Sequence, residues 1–128
     1  MMDTSYDVGL MRNAMHTADP TPPPLADPLS VEHAVDLLAT MAHPVRLTVL
    51  SWLYRRGPAS VGDLGEALGV EQSALSHHLR QLRDRRLVVA EREGKRVIYR
   101  LDDDHVGCIV EDAIRHAGER GAGEVADG

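Results

Sequence analysis

The chain of 128 residues holds a single cysteine, Cys108. One thiol excludes an intrachain disulfide and a cysteine-rich zinc site, and it is the usage expected of a cytoplasmic protein in a reducing compartment. Long apolar runs are also missing: nothing near the start reads as a signal peptide, and no segment is long enough to span a membrane. No serine, cysteine or lysine stands in a spacing that pairs a nucleophile with a base, so an enzyme is not expected. Internal repeats are absent as well. What remains is enough chain for one domain with its own core.

Net basic charge is lacking too, since the sum is −6. That sum hides an asymmetry. Residues 1–40 carry Arg12 alone against Asp3, Asp7, Asp19, Asp27, Glu32 and Asp36, and residues 101–128 carry Arg115 and Arg120 against eight acids. Between them, residues 71–100 hold eight basic residues, from Arg80 to Arg100, against Glu71, Asp84, Glu91 and Glu93. A basic middle between acidic ends is the footprint of local phosphate contact.

Residues 1–29 read as a disordered tail, because Pro20, Pro22, Pro23, Pro24 and Pro28 block helix and ladder and few large apolar residues accompany them. Residues 30–120 read as the folded domain, and 121–128 as a flexible tail opened by Gly121 and Gly123. Ser30 is the expected N-cap of a helix through about Ala42, with Val31, Val35, Leu38 and Met41 on its apolar face. Pro44 suits the first turn of a second helix to Arg56, apolar nearly all round and so expected to be buried. Gly57-Pro58 stops it. Ser60 with Asp63 resembles a capping box for a short helix to about Leu68. After a tight turn at Gly69-Val70, a fourth helix is expected from Gln72 to Arg86, with Leu75, Leu79 and Leu82 inward. Two β-rich runs, 87–92 and 95–101, flank a hairpin signal at Glu93-Gly94. Asp102 to Asp104 open a last helix through about Glu119. The order predicts a mainly α fold with a β-hairpin wing, a winged helix-turn-helix.

With its leucines inward, the fourth helix leaves Gln72, Ser73, Ser76, His77, Arg80 and Arg83 on its outer faces. Gln72 suits a bidentate contact to adenine and Arg80 one to guanine. The helix's first N–H groups favour phosphate, and Lys95 and Arg96 at the wing tip are placed for backbone contact. Solvated charge alone would explain any one of these residues. The helix-turn-helix and wing order is what favours double-stranded DNA as the partner.

The last helix carries four metal-competent side chains: Asp103, His105, His116 and Glu119. His105 and His116 share a helical face to within about 20°, yet stand roughly 16 Å apart along the axis. They cannot grip one ion together. Two half-sites at opposite ends of one face call for a second copy of the helix running antiparallel, so that Asp103 and His105 of one chain meet His116 and Glu119 of the other. The resulting two nitrogens and two oxygens suit a closed tetrahedral Zn2+ site, with Co2+ or Ni2+ as alternatives. An apolar stripe of Val106, Ile109, Val110, Ala113 and Ile114 serves helix pairing. A zinc hydrolase would need an open coordination position and a base, and four ligands without a base argue against it. Cys108 reads as a small buried hydrophobe, with a redox signal as the alternative reading. His33 and His43 read as surface or interface groups, Asp102 and Asp104 as caps, and His16 as a tail residue with a possible added ligand atom.

The segment from about Ala39 to Glu119 resembles the ArsR/SmtB family of winged-helix metal-sensing repressors. Met41-Ala42-His43-Pro44-Val45-Arg46-Leu47 carries the likeness, with Val61-Gly62-Asp63-Leu64, Ser76-His77-His78-Leu79 and Gly94-Lys95-Arg96-Val97-Ile98-Tyr99. The resemblance implies an apo homodimer, joined through its first and last helices, that sits on an inverted-repeat operator and leaves it on binding metal. Asp103, His105, His116 and Glu119 match the ligand pattern of the family's zinc-responsive branch. The branch implies control of a zinc efflux or sequestration gene, and a link from the ligand His116 to the recognition-helix backbone near His77. Val61-Gly62-Asp63-Leu64-Gly65 lacks the thiol of the family's arsenic, cadmium and lead sites. No histidine follows His116, which argues against the larger nickel and cobalt sites.

Overall fold

The computed structural model describes the backbone of residues 25–127 and the side chains of residues 25–120. The proline-rich tail up to residue 24, His16 with it, lies outside the described residues. The elements are α1 (Pro28–Met41), α2 (Pro44–Arg56), β1 (Ala59–Ser60), α3 (Val61–Leu68), α4 (Gln72–Asp84), β2 (Val88–Glu93), β3 (Arg96–Leu101) and α5 (Asp104–Asp127). The fold is a winged helix-turn-helix: α3 and α4 with their turn, and the β2–β3 hairpin as wing.

Local chemistry explains most boundaries, including those the pattern misplaces. Asp27, not Ser30, caps α1: its carboxylate accepts the Ser30 N–H at 3.0 Å, and Pro28 takes the first helical position. Ser60 caps α3 as expected, accepting the Asp63 N–H at 3.1 Å. Helix α4 stops at Asp84 rather than Arg86. Arg86 takes a φ of 60°, its N–H reaches Arg83 O, and Leu87 N–H reaches Leu82 O. This paired closure terminates the helix in a left-handed residue, with Leu82 and Leu87 buried beside it.

The wing turns at Gly94-Lys95, one residue later than expected. Glu93 faces Arg96 across the hairpin, and Gly94 supplies the positive φ of 64°. A third strand went unforeseen. The two residues of β1 pair with β3, Ala59 opposite Tyr99 and Ser60 opposite Ile98, which gives the order β1-β3-β2. Two residues carry no alternation from which a strand can be read. Helix α5 spans Asp104–Asp127. Each glycine costs about 1 kcal/mol against alanine in a helix but leaves the hydrogen-bond ladder whole.

The core gathers Val49, Leu50 and Leu53 of α2, Leu64 of α3, Leu75, Leu79 and Leu82 of α4, Leu87 and Val88 beside the wing, and Val106 and Val110 of α5. Helix α2 is less enclosed than its nearly all-round apolar face suggests: Leu47 and Trp52 are half-buried and Tyr54 is exposed. The tight helix-turn-helix corner needs Gly65, where a β-carbon would stand 3.0 Å from Val70 O.

Candidate DNA interface and metal half-sites

At 100° per residue, Gln72, Ser73, Ser76, His77, Arg80 and Arg83 of α4 fall within an arc of about 140°. All six are exposed, as are Lys95 and Arg96 on the wing. Arg80, Arg83 and Lys95 form no ion pair among the described residues, so their charge is available to an anion. Two of the eight are already engaged. Ser73 Oγ donates to the Glu71 carboxylate at 2.8 Å, and Arg96 Nη2 donates to Asp63 Oδ2 at 2.6 Å and to Ser60 Oγ at 2.9 Å.

Glu71 alters the expected use of the helix start. Its carboxylate caps α4, accepting the N–H groups of Ser73 at 3.2 Å and Ala74 at 3.1 Å. The Ser73 hydroxyl, then these N–H groups, hold the Glu71 carboxyl below its ordinary range. The first turn therefore offers phosphate fewer free donors than a bare helix N-terminus would. What α4 leaves free for an anion is the side chains of the outer arc.

Behind the reading face, α4 is tied to the first two helices. Arg46 of α2 donates from Nε to His78 Nδ1 at 3.2 Å and from Nη1 to Thr40 O at 3.1 Å. His43 is no surface group: its Nδ1 caps α2 by accepting the Val45 N–H at 3.1 Å, and its ring lies 4.4 Å from that of His78. Both rings accept at Nδ1, which puts the proton of each neutral ring on Nε2. Neither then offers a lone pair to a metal. Burial, then the charges of His43, Arg46 and His77, push the His78 pKa down. His77 is exposed, with its ring edge-on to His78 at 5.7 Å.

On α5 the proposed ligands are open to solvent. The His105 side chain is 93% exposed, with its Nδ1 3.6 Å from Asp103 Oδ1. Asp103, rather than its acidic neighbours, caps the helix: Oδ1 accepts the N–H groups of His105 at 2.8 Å and Val106 at 3.3 Å. Among the described residues its Oδ2 accepts no hydrogen bond, so the cap aims the carboxylate without consuming it. One unbroken helix carries His105, His116 and Glu119, and the last two make no hydrogen bond or ion pair among the described residues. Among the described residues of a single chain, no three histidine, cysteine or acidic side chains gather as a metal cage.

Two further features of α5 escaped the sequence pattern. Glu111 accepts from Ser51 Oγ at 2.6 Å and from Arg55 Nε and Nη2 at 3.0 and 2.6 Å. Arg55 first, then Ser51, keeps the Glu111 carboxyl below its ordinary range. Cys108 is exposed rather than buried, with Sγ 3.7 Å from Tyr54 Oη. Gly107 takes the buried position against the Tyr54 ring, and Cys108 follows 100° further round the helix.

The profile described as "Bacterial regulatory protein, arsR family" matches residues 43–89, the segment from the cap of α2 through the helix-turn-helix to the first wing strand. The HTH-type transcriptional regulator NmtR of Mycobacterium tuberculosis is 45% identical over 93 residues, 70% of this chain and 77% of that protein. The chain belongs to the arsR family. The HTH-type transcriptional repressor SmtB of the same organism is 41% identical over 100 residues, covering 78% of this chain and 71% of its own. Among solved structures, the antimony-specific transcriptional repressor AntR superposes with a TM-score of 0.71 at 30% identity, over 83% of this chain and 97% of that one. This arsR-family chain is thus a helix-turn-helix transcriptional regulator and not an enzyme. Among the described residues, no helix is long and apolar enough to cross a membrane.

Proposed function

We propose that this chain is a metal-responsive repressor that works as a homodimer, with zinc the ion its donors suit best. One observation carries the reading. His105 and His116 lie about 16 Å apart on one continuous helix, and each has an acid beside it. A single chain closes no site, whereas an antiparallel second copy of α5 completes two.

Asp103 and His105 of one subunit, with His116 and Glu119 of the other, would hold the ion. Two imidazoles and two carboxylates fit a closed tetrahedral site. The bound ion would supply a fixed tie between the two terminal helices. Antimony, named for AntR, favours soft sulfur, and this chain's one thiol offers no such set. The dimer surface has its own support: Val31, Val35 and Leu38 of α1 and Ile109 and Ile114 of α5 are large apolar side chains left exposed.

The chain's residues carry the coupling. Val106 and Val110 seat α5 in the core that holds Leu75, Leu79 and Leu82 of α4, and Glu111 binds α5 to Ser51 and Arg55 of α2. Arg46 then joins α2 to His78 on α4. A change in the pairing of the two terminal helices is thereby passed to the reading helix, and family likeness adds a direct link from His116 toward His77. The metal-free dimer would place one α4 in each half of an inverted repeat. Metal binding would disfavour that spacing, and DNA would weaken metal binding by the same factor.

The test is a fluorescence anisotropy titration on a duplex selected from a random pool. Zinc should weaken binding roughly 5- to 150-fold, and an unchanged affinity refutes the sensor. A larger response to nickel or cobalt moves the ion assignment. The exposed Cys108 favours a second reading, an oxidant signal, which a response to peroxide in the absence of metal would support.

A further inference from the structure

Between the wing and the helix-turn-helix lies a cleft of about 420 Å³, lined by Ser60, Gly62, Ser76, Arg96 and Tyr99 among others. Ser76 belongs to the outward arc of α4, so the cleft opens beside the face that reads DNA. Its one guanidinium is already held by an oxyanion: Arg96 Nη2 spends both protons on Asp63 Oδ2 at 2.6 Å and Ser60 Oγ at 2.9 Å. Arg96 Nε and Nη1 make no hydrogen bond among the described residues. Both partners are 58% exposed, so water and ions reach the pair freely.

We infer that Asp63 is a specificity-determining residue, whose carboxylate stands in for a DNA phosphate and occupies Arg96 until a well-seated duplex displaces it. A carboxylate and a phosphate compete for the same guanidinium donors. Where the wing seats fully against a cognate backbone, the phosphate takes over Arg96. On an ill-fitting duplex the internal pair persists, and Arg96 adds nothing to the contact that Lys95 makes. An exposed ion pair is weak, so the exchange is easily reversed and cannot block binding outright. The inference rests on the DNA-binding reading of the wing and adds a residue, Asp63, to which that reading gives no role.

The experiment compares the full-length protein with Asp63→Asn, Arg96→Ala and the double variant, on the selected duplex and a scrambled one of equal length, across a salt series. Freeing Arg96 should raise affinity for the scrambled duplex about two- to fivefold per chain, with a smaller gain on the selected duplex. The slope of log K against log salt should steepen by about one per freed cation. Both gains should vanish in the double variant. Three outcomes overturn the inference: lower affinity for the selected duplex at an unchanged slope, which makes Asp63 a positioning residue; no change in either quantity; or a gain that survives Arg96→Ala. If the unaltered protein binds no duplex in a salt-dependent way, the DNA reading of the wing fails first. Asp63→Ser gives the same readout should the asparagine variant not fold, because Ser60 caps α3 through the backbone N–H of residue 63.

Discussion

Neutral His78 accepts at Nδ1 from Arg46, so a proton added there sets two donors face to face. The ring's pKa is held below the ordinary histidine value of 6.5 by burial and by neighbouring charge. The folded chain takes up this proton less readily than the unfolded one. Stability from this group is therefore full above about pH 6.5, falls as the pH drops below that value, and levels off once the folded ring is itself protonated. His78→Asn keeps an acceptor for Arg46 and removes the titration. Urea midpoints measured between about pH 7 and about pH 5 should then vary less with pH than in the parent; an equal slope would show that His78 does not carry the effect. Arg80 lies on the other face of the same helix. Arg80→Ala should cost about 1–3 kcal/mol of affinity for the selected duplex and leave metal stoichiometry intact, read by titration and by native mass spectrometry. The outward position of Arg80 was legible because exposed polar residues opposite a leucine stripe declare themselves. The Arg46–His78 tie was not, because it joins residues 32 positions apart that only tertiary packing brings together.

Helix α5 crosses α2 closely at Gly107, where an added β-carbon would run into the Tyr54 ring. Overpacking of this kind costs about 1–3 kcal/mol. Gly107→Ala should lower the free energy of unfolding by that amount, read from urea denaturation curves, and Tyr54→Ala in the same chain should recover part of it; no recovery would place the strain elsewhere. The order of helices and wing strands could be read from apolar period, capping residues and turn glycines. What escaped was set by neighbours. Strand β1 is two residues long and exists through its pairing with β3. Helix α4 ends early because Leu87 turns back to join Leu82 in the core. Cys108 was misread as buried because a thiol on an apolar helix gives no sign that a glycine beside it carries the close crossing. The cap fell to Asp103 instead of the expected Asp102 or Asp104, since three successive carboxylates at a helix start leave the choice to backbone geometry.

The whole chain places its charge and its apolar surface on different parts. Basic residues cluster on α4 and the wing, acids crowd the start of α5, and exposed apolar side chains lie on α1 and α5. That division fits a dimer in which α1 and α5 face a second copy while α4 and the wing face DNA. The central claim is that each metal site takes two ligands from each subunit, and mixed dimers test it most directly. In His105→Ala and His116→Ala homodimers, both sites lose a ligand, and native mass spectrometry should find little bound zinc. When the two variant chains are mixed and exchanged, the heterodimer should regain one zinc, because the intact His105 of one subunit and the intact His116 of the other complete a single cage. Heterodimers that regain none, or single variants that still hold two ions per dimer, would contradict the account.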